Sequence, residues 1–460
     1  MNNDYIAKAQ SKEQKGDLEG ALIDYQKALD KDPKNNAIQI EIGNLYAMRG
    51  SFDRAIEYFS KAYAAYPNDI DLRDGLCFCL CEIGNQFYNN RNFYRAENNF
   101  LEAIKLNPSK SEYLFNLANT YYAQGKYKEA LDNYNSSLEL NYDSETLSCI
   151  GNSLRSVGKF SEAIKFYTTA LKENRDLIHT EIELTHLKQN VCDWNNINKH
   201  FENIKSHINN IDSGSISPFT VLSIPEIGCE EQLKVSSSWA KKAAQNVQEV
   251  KKNNNKNSKI NIGYLSSDFR LHPLYFLIID VFKNHNKDDF KITLYYSGNN
   301  EDSAAHNDFK SLGYDFISIA ELSNDEAAKL IASNDTDILV DLSGFTKNSR
   351  SILAAYKPAV KHINWLGFPS TMGYINSSPL YDHILVDHYL VPDTHKSYYA
   401  ENVIYLPNCY QPNIENRTKL LPVTKKSLGF DEDTFIYASF GQSIKITEDQ
   451  FNLWLIILKS

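Results

Sequence analysis

The chain has 460 residues, 42% of them apolar, and 48 Lys and Arg against 58 Asp and Glu give a formal charge of −10. That length allows two or three domains of about 100–200 residues, each with its own core. A net-acidic chain repels phosphate backbones, which argues against nucleic acid as a partner, and no apolar run approaches the ~18–20 residues that cross a bilayer, so no membrane association is expected.

The first residues, MNNDYIAKAQSKEQKGD, lack the basic-then-apolar order of a secretory signal, and a cytoplasmic protein is expected. Seven cysteines are too sparse and irregular for a disulfide framework. Cys77 and Cys81 would share a helical face one turn apart, which suits a soft metal, but no further ligand follows at matching spacing. Buried, unligated thiols and no metal are the expectation.

Ala21, Ala55, Ala96, Ala130 and Ala163 recur at intervals of 34, 41, 34 and 33 residues, each with an aromatic four residues on: Tyr25, Phe59, Phe100, Tyr134 and Tyr167. Gly16, Gly50, Gly125 and Gly158 stand five residues before those alanines, with Arg91 in the third unit, and Pro33, Pro67 and Pro108 close the first three units. A turn, a small residue where two helices cross, an aromatic that fills the gap and a proline stop make a helical hairpin. The period resembles the tetratricopeptide repeat, with five units over residues 2–175 and a seven-residue insertion near Asp69–Gly75. Such units stack into a right-handed solenoid with a concave face. Asn44, Asn85, Asn119 and Asn152 fall at the repeat position that looks into that groove. Carboxamides there suit an extended protein or peptide backbone, which they can both donate to and accept from; a purely local role is the alternative.

Residues 176–257 read as a connector. Asp176–Asn210 is helical around a Cys192-Asp193-Trp194 element, Ser213–Pro225 is loop-like, Glu230–Val250 is helical, and Lys251–Asn257 is a polar tether. Over 258–420 short β-rich runs alternate with helical stretches. Strands are predicted at Ile260–Leu265, Lys291–Tyr296, Asp315–Ile319, Ile338–Leu342, His362–Leu366 and His383–Asp387. Helices are predicted near Pro273–Asn286, Ser303–Ser311, Asp325–Ser333 and Ser349–Ala355. This alternation implies a doubly wound parallel sheet, whose ligands collect at the carboxyl ends of its strands.

Three loops leave that edge. Gly263–Pro273 places His272 at a helix start, with Pro273 in the first turn, where the dipole favours a neutral imidazole able to accept a proton; helix capping alone is the plainer alternative. Asp341–Lys347 and Trp365–Gly373 are rich in small and hydroxylated residues whose backbone amides suit an oxygen-rich ligand. Thr346, Gly367 and Pro369 are the candidates there. Asp335-Thr336-Asp337 mimics a metal-binding acid pair, but it precedes a strand, at the amino edge, and is rejected as a metal site.

GYLSSDFRLHP (263–273), DILVDLSGFTKNSR (337–350), INWLGFPSTMG (363–373), YDHILVDHYLVP (381–392), YLPNCYQPN (405–413) and YASFGQSIKI (437–446), behind these repeats, resemble the O-linked N-acetylglucosamine transferase / SPINDLY family. The resemblance implies a GT-B-like glycosyltransferase that moves a sugar, with inversion, from a nucleotide donor to Ser or Thr of a protein held in the repeat groove. The implied donor is UDP-N-acetylglucosamine, or GDP-fucose as in plant SPINDLY relatives, and no cofactor or metal is implied. His272 matches the family's active-site histidine. Lys445, expected just past a strand Phe435–Phe440, matches the lysine that steadies the nucleotide phosphates, and Gln442 matches a neighbouring donor-binding glutamine. Phe345 stands where relatives carry His or Tyr. Residues 421–460 would only begin the second Rossmann-like half, leaving it incomplete, so the chain is expected to be a fragment of a longer transferase or a shortened product. The rival expectation is a non-enzymatic adaptor that keeps a relic transferase domain.

Overall fold

The computed structural model describes residues 2–210, 214, 216–252, 258–298, 302–413 and 423–459. Most of the expected tether, and the expected boundary at 420–421, lie outside the described residues. The chain divides into two compact units, Met1–Leu187 and Lys188–Ser460.

In the first unit the five repeats are five helix pairs. Their first helices are Asn2–Glu13, Asn36–Met48, Ile70–Asn89, Ser111–Ala123 and Ser144–Ser156; their second helices are Leu18–Lys31, Phe52–Ala65, Phe93–Leu106, Tyr127–Leu140 and Phe160–Glu173. The five repeat alanines are fully buried, and the small residue of each first helix makes room for the aromatic of the second. A Cβ on Gly43, Gly84 or Gly151 would lie 2.9, 2.6 or 2.5 Å from the ring of Phe59, Phe100 or Tyr167. The turns at Gly16, Gly50, Gly125 and Gly158 are left-handed, and Arg91 adopts the same conformation (φ 59°) at the cost of a Cβ contact that glycine avoids. The insertion does not form a loop. It lengthens the third unit's first helix to 20 residues against 13 for its neighbours, about two extra turns, so the buried face returns almost in phase.

In the second unit seven parallel strands form one sheet: β1 Ile260–Ser266, β2 Phe290–Tyr296, β3 Asp315–Ser318, β4 Ile338–Asp341, β5 Lys361–Trp365, β8 His383–Val386 and β9 Asn402–Tyr405, in the order β3-β2-β1-β4-β5-β8-β9. A small antiparallel hairpin, β6 Tyr374–Ile375 with β7 Ser378–Pro379, stands apart from it. All six predicted sheet strands form. Successive residues of β1 enter different cores: Tyr264 packs with Ile278 and Phe282 of the helix Pro273–Lys283, and Leu265 with Ala327 and Ile331 of the helix Asn324–Ser333. Both sheet faces are covered, as double winding requires.

The predicted strand Phe435–Phe440 does not form. Its residues join no ladder, and Phe435 and Phe440 are 76% and 97% exposed. A β-prone run without a neighbouring strand has nothing to satisfy its backbone. Residues 423–459 hold short turns at Lys426–Leu428 and Ser443–Lys445 and one helix, Glu448–Lys459.

Candidate active site

The sheet order changes direction between β1 and β4: from β1 the chain winds outward through β2 and β3, then returns to β4 on the other side. The elements that follow those two strands pack on opposite faces of the sheet, and the switch point between them is where ligand crevices of such sheets lie. Three loops meet there. Ser266 Oγ at the end of β1 lies 3.3 Å from Ser343 Oγ in the loop after β4. That loop abuts the one after β5, since a Cβ on Gly367 would fall 2.3 Å from the Leu342 carbonyl oxygen and one on Gly344 2.3 Å from Phe368 Cβ.

His272 caps the helix Pro273–Lys283, its Nδ1 accepting the Leu274 N–H at 3.2 Å. The proton of a neutral ring then sits on Nε2, which makes Nε2 a donor. The expected proton acceptor thus has its accepting nitrogen already engaged by the backbone.

Asp341 organises the loop after β4. It is fully buried; Oδ1 accepts the Ser343 and Gly344 N–H groups at 2.8 and 3.2 Å, and Oδ2 accepts the Tyr381 hydroxyl at 2.7 Å. Burial, and then the neighbouring Asp341, push the Tyr381 phenol far above its ordinary range. Thr346 is half-buried beyond Phe345, whose ring packs against Phe368 at 5.5 Å where a polar side chain would have pointed.

The loop after β5 begins with Leu366 at φ 78°, a conformation that strains a leucine. The Gly367 N–H is engaged by the Trp365 carbonyl, and the Pro369 carbonyl accepts the Tyr399 hydroxyl at 3.2 Å. Asn364, fully buried at the end of β5, donates to the Phe368 and Ser370 carbonyls. Its Oδ1 has no hydrogen-bond partner among the described residues.

Glu401 lies in none of the quoted motifs, and sequence reading singled out neither it nor Tyr381 and Asn364, which stand inside two of them. Glu401 is buried just before β9, and its carboxyl is pushed up to about 7 by that burial, against the opposing pull of hydrogen bonds from Met372 and Thr371.

Lys445 and Gln442 are exposed in and beside the turn Ser443–Lys445. That turn is tied to the Cys192-Asp193-Trp194 element: Ser443 Oγ donates to the Asn190 carbonyl at 2.9 Å, the Trp194 indole to the Ile446 carbonyl at 3.2 Å, and Trp194 packs on Phe451 at 5.4 Å. None of these three contacts involves a residue of the three loops. In the repeats, Asn119 and Asn152 accept the hydroxyls of Tyr134 and Tyr167 at 2.5 and 2.7 Å, Asn85 donates weakly to Cys81 Sγ at 3.9 Å, and Asn44 is exposed. The local role weighed against peptide binding is therefore real for two of the four.

No group of three or more His, Cys, Asp or Glu suited to a metal occurs among the described residues. Cys77 and Cys81 are buried, with thiols pushed up by that burial to about 11 and about 12. At the amino edge the Asp337 carboxylate accepts the Asn261 N–H at 2.8 Å, a structural use of the rejected acid pair.

Residues 229–413 match the family described as Glycosyl transferase family 41, and residues 6–70 and 81–143 match the Tetratricopeptide repeat. The chain is 29% identical over 298 residues to the probable UDP-N-acetylglucosamine–peptide N-acetylglucosaminyltransferase SEC of Arabidopsis thaliana, covering 60% of this chain and 30% of that protein. It is 28% identical over 206 residues to the SPINDLY protein of Solanum lycopersicum, described as a probable enzyme of the same activity, covering 43% and 21%. The chain thus spans less than a third of the length of these relatives. A solved structure of a mutant Thermobaculum terrenum O-GlcNAc transferase aligns with a TM-score of 0.52 at 18% identity, covering 84% of this chain and 67% of that one, a likeness of fold.

Proposed function

We propose that this chain, in which a family 41 glycosyltransferase segment follows tetratricopeptide repeats, belongs to a protein that transfers N-acetylglucosamine from UDP-N-acetylglucosamine to Ser or Thr of other proteins. The observation that carries the reading is the meeting of three loops, one bearing His272, at the switch point of a doubly wound sheet. In the reaction the acceptor hydroxyl attacks the anomeric carbon as its bond to the diphosphate breaks with inversion, and the hydroxyl proton passes to solvent or to the departing nucleoside diphosphate.

With Nδ1 of His272 held by Leu274, its Nε2–H is suited to orient an oxygen of donor or acceptor rather than to take a proton. Thr346, Gly367 and Pro369 line the donor's approach, and Gln442 and the Lys445 ammonium meet the nucleotide, where a fixed positive charge offsets leaving-group charge without a metal. The carboxamides of Asn44, Asn85, Asn119 and Asn152 hold the acceptor segment. The work is cytoplasmic in this reading, consistent with no described helix being long and apolar enough to cross a membrane.

The test is transfer of labelled sugar from UDP-N-acetylglucosamine to a Ser/Thr peptide by the full gene product. Transfer that survives EDTA and falls at least about tenfold in Lys445→Ala, the loss of one charge-assisted contact, is expected. Unchanged turnover in that variant removes Lys445 from the mechanism. The adaptor reading draws on the contacts of the Ser443–Lys445 turn with Asn190 and Trp194 rather than with the loops. Calorimetry of this chain with UDP separates the two: no heat at millimolar nucleotide favours the adaptor.

A further inference from the structure

The loop after β5 is gripped from two sides. From the helix Cys229–Ala243, Gln232 Oε1 accepts the Ser370 hydroxyl at 2.9 Å and Ser237 Oγ accepts the Tyr374 N–H at 3.0 Å. From the segment Tyr399–Glu401, the Tyr399 hydroxyl donates to the Pro369 carbonyl, the Ala400 N–H to Thr371 Oγ1 at 3.0 Å, and Glu401 takes two donors.

The wiring around Glu401 is directional. Thr371 Oγ1 accepts the Gly373 N–H at 3.2 Å and the Ala400 N–H at 3.0 Å, which uses both lone pairs of the hydroxyl. Its own proton must then be donated, and the oxygen in reach is Glu401 Oε2 at 2.8 Å. Glu401 Oε1 meanwhile accepts the Met372 N–H at 2.5 Å. In the ionised form, which prevails above about pH 7, both carboxylate oxygens are asked to accept, in a site with almost no access to water. A carboxamide of the same shape offers one accepting end and one donating end, so it satisfies one of the two donors and opposes the other.

We propose that Glu401 is a positioning residue for sugar-nucleotide binding: its two oxygens, acting through Thr371 and Met372, fix the Gly367–Gly373 loop in its binding conformation. The proposal rests on the donor-site reading above for its ligand, while its structural half stands alone. Glu401 reaches the loop's far end across 29 and 30 positions of sequence, and it holds the residues that follow Gly367 and Pro369, which are assigned to the donor.

The experiment compares wild type, Glu401→Gln, Thr371→Val and Thr371→Ser in the full chain, at a pH at least about one unit above 7 so that Glu401 is ionised, by amide hydrogen exchange of residues 366–373 and by calorimetry with UDP. In Glu401→Gln and Thr371→Val, exchange protection of that loop should fall about tenfold or more, as for one lost hydrogen bond to a charged group, while protection of β1 and β4 is retained. UDP affinity should weaken by a similar factor. Thr371→Ser, which keeps the hydroxyl, should match wild type in both readouts. In the transfer assay the donor KM should rise more than kcat falls, a split that mere loss of stability does not produce.

Loop protection unchanged in both Glu401→Gln and Thr371→Val overturns the proposal. So does a loss of UDP affinity in Thr371→Ser as large as in Thr371→Val. If Glu401→Gln loses protection throughout the sheet, Thr371→Val decides by the same criteria. If wild type takes up no UDP, the donor assignment fails and Glu401 loses its positioning role with it, while selective loss of loop protection still shows the clamp itself to be real.

Discussion

His272 meets two demands at once, a helix that needs an acceptor for its first free N–H groups and a crevice that needs a polar side chain. The two can be separated. His272→Ala should cost about 1 kcal/mol of stability through the lost cap, whereas His272→Asn, which keeps a capping acceptor, should stay within a few tenths, as read by urea denaturation. Sugar transfer should fall in both. Retained transfer in His272→Asn would reduce the histidine to a cap. Glu401 supplies a pH test with a definite sign. Its carboxyl stands at about 7 in the folded chain against 4.5 ordinarily, so its contribution to stability is complete below about 4.5 and is lost as pH rises through 7. Stability of wild type should therefore decline over that window by about 3 kcal/mol relative to Glu401→Gln, measured by urea midpoints at each pH. His272 was legible because it precedes a proline at a strand-to-helix turn. Glu401 was not, because its partners are a hydroxyl and a backbone amide 30 and 29 residues earlier and no local pattern announces them.

At the scale of elements, the third repeat shows how an insertion can be absorbed. Seven residues turn a helix by nearly two full turns, leaving a phase error of about 20°. The small residue lies eight positions after the N-cap in neighbouring units, as in Asn35 to Gly43 and Asp143 to Gly151, and fifteen after it here, from Asp69 to Gly84. Deleting Ile70–Leu76 should restore the ordinary unit and preserve cooperative unfolding. Deleting Ile70–Asp74 rotates the remaining face by about 140° and should abolish it, as followed by thermal circular dichroism. The repeats were readable because an alanine, an aromatic and a glycine recur at fixed offsets, each with one steric duty. The sheet was readable wherever an apolar run was flanked by turn residues. Two kinds of error mark the limit. β9, four residues with two half-exposed side chains, resembles a loop until β8 lies beside it, and Phe435–Phe440, also rich in strand-forming residues, finds no partner among the described residues. Pairing, not propensity, decides a strand.

At the scale of the whole molecule, the buried clusters divide between the two units. Repeat cores built on Tyr25, Phe59 with Phe100, and Tyr134 with Tyr167 lie in the first, and the sheet cores built on Ile278, Ile331 and Ile384 lie in the second. Leu184 and Leu187 of the helix Ile178–Asn190 complete the last repeat core, so residues 1–190 produced alone should fold and melt cooperatively by circular dichroism, whereas residues 1–175 should melt lower. An array of stacked units opens first at its weakest joint, and the joint between Asn89 and Phe93 carries a side chain, that of Arg91, at the left-handed position where four counterparts have glycine. Exchanging that arginine for glycine would leave every buried contact in place and still raise the melting point, by the equivalent of about 1 kcal/mol. The third hairpin is then the place where the repeat array should open first on heating.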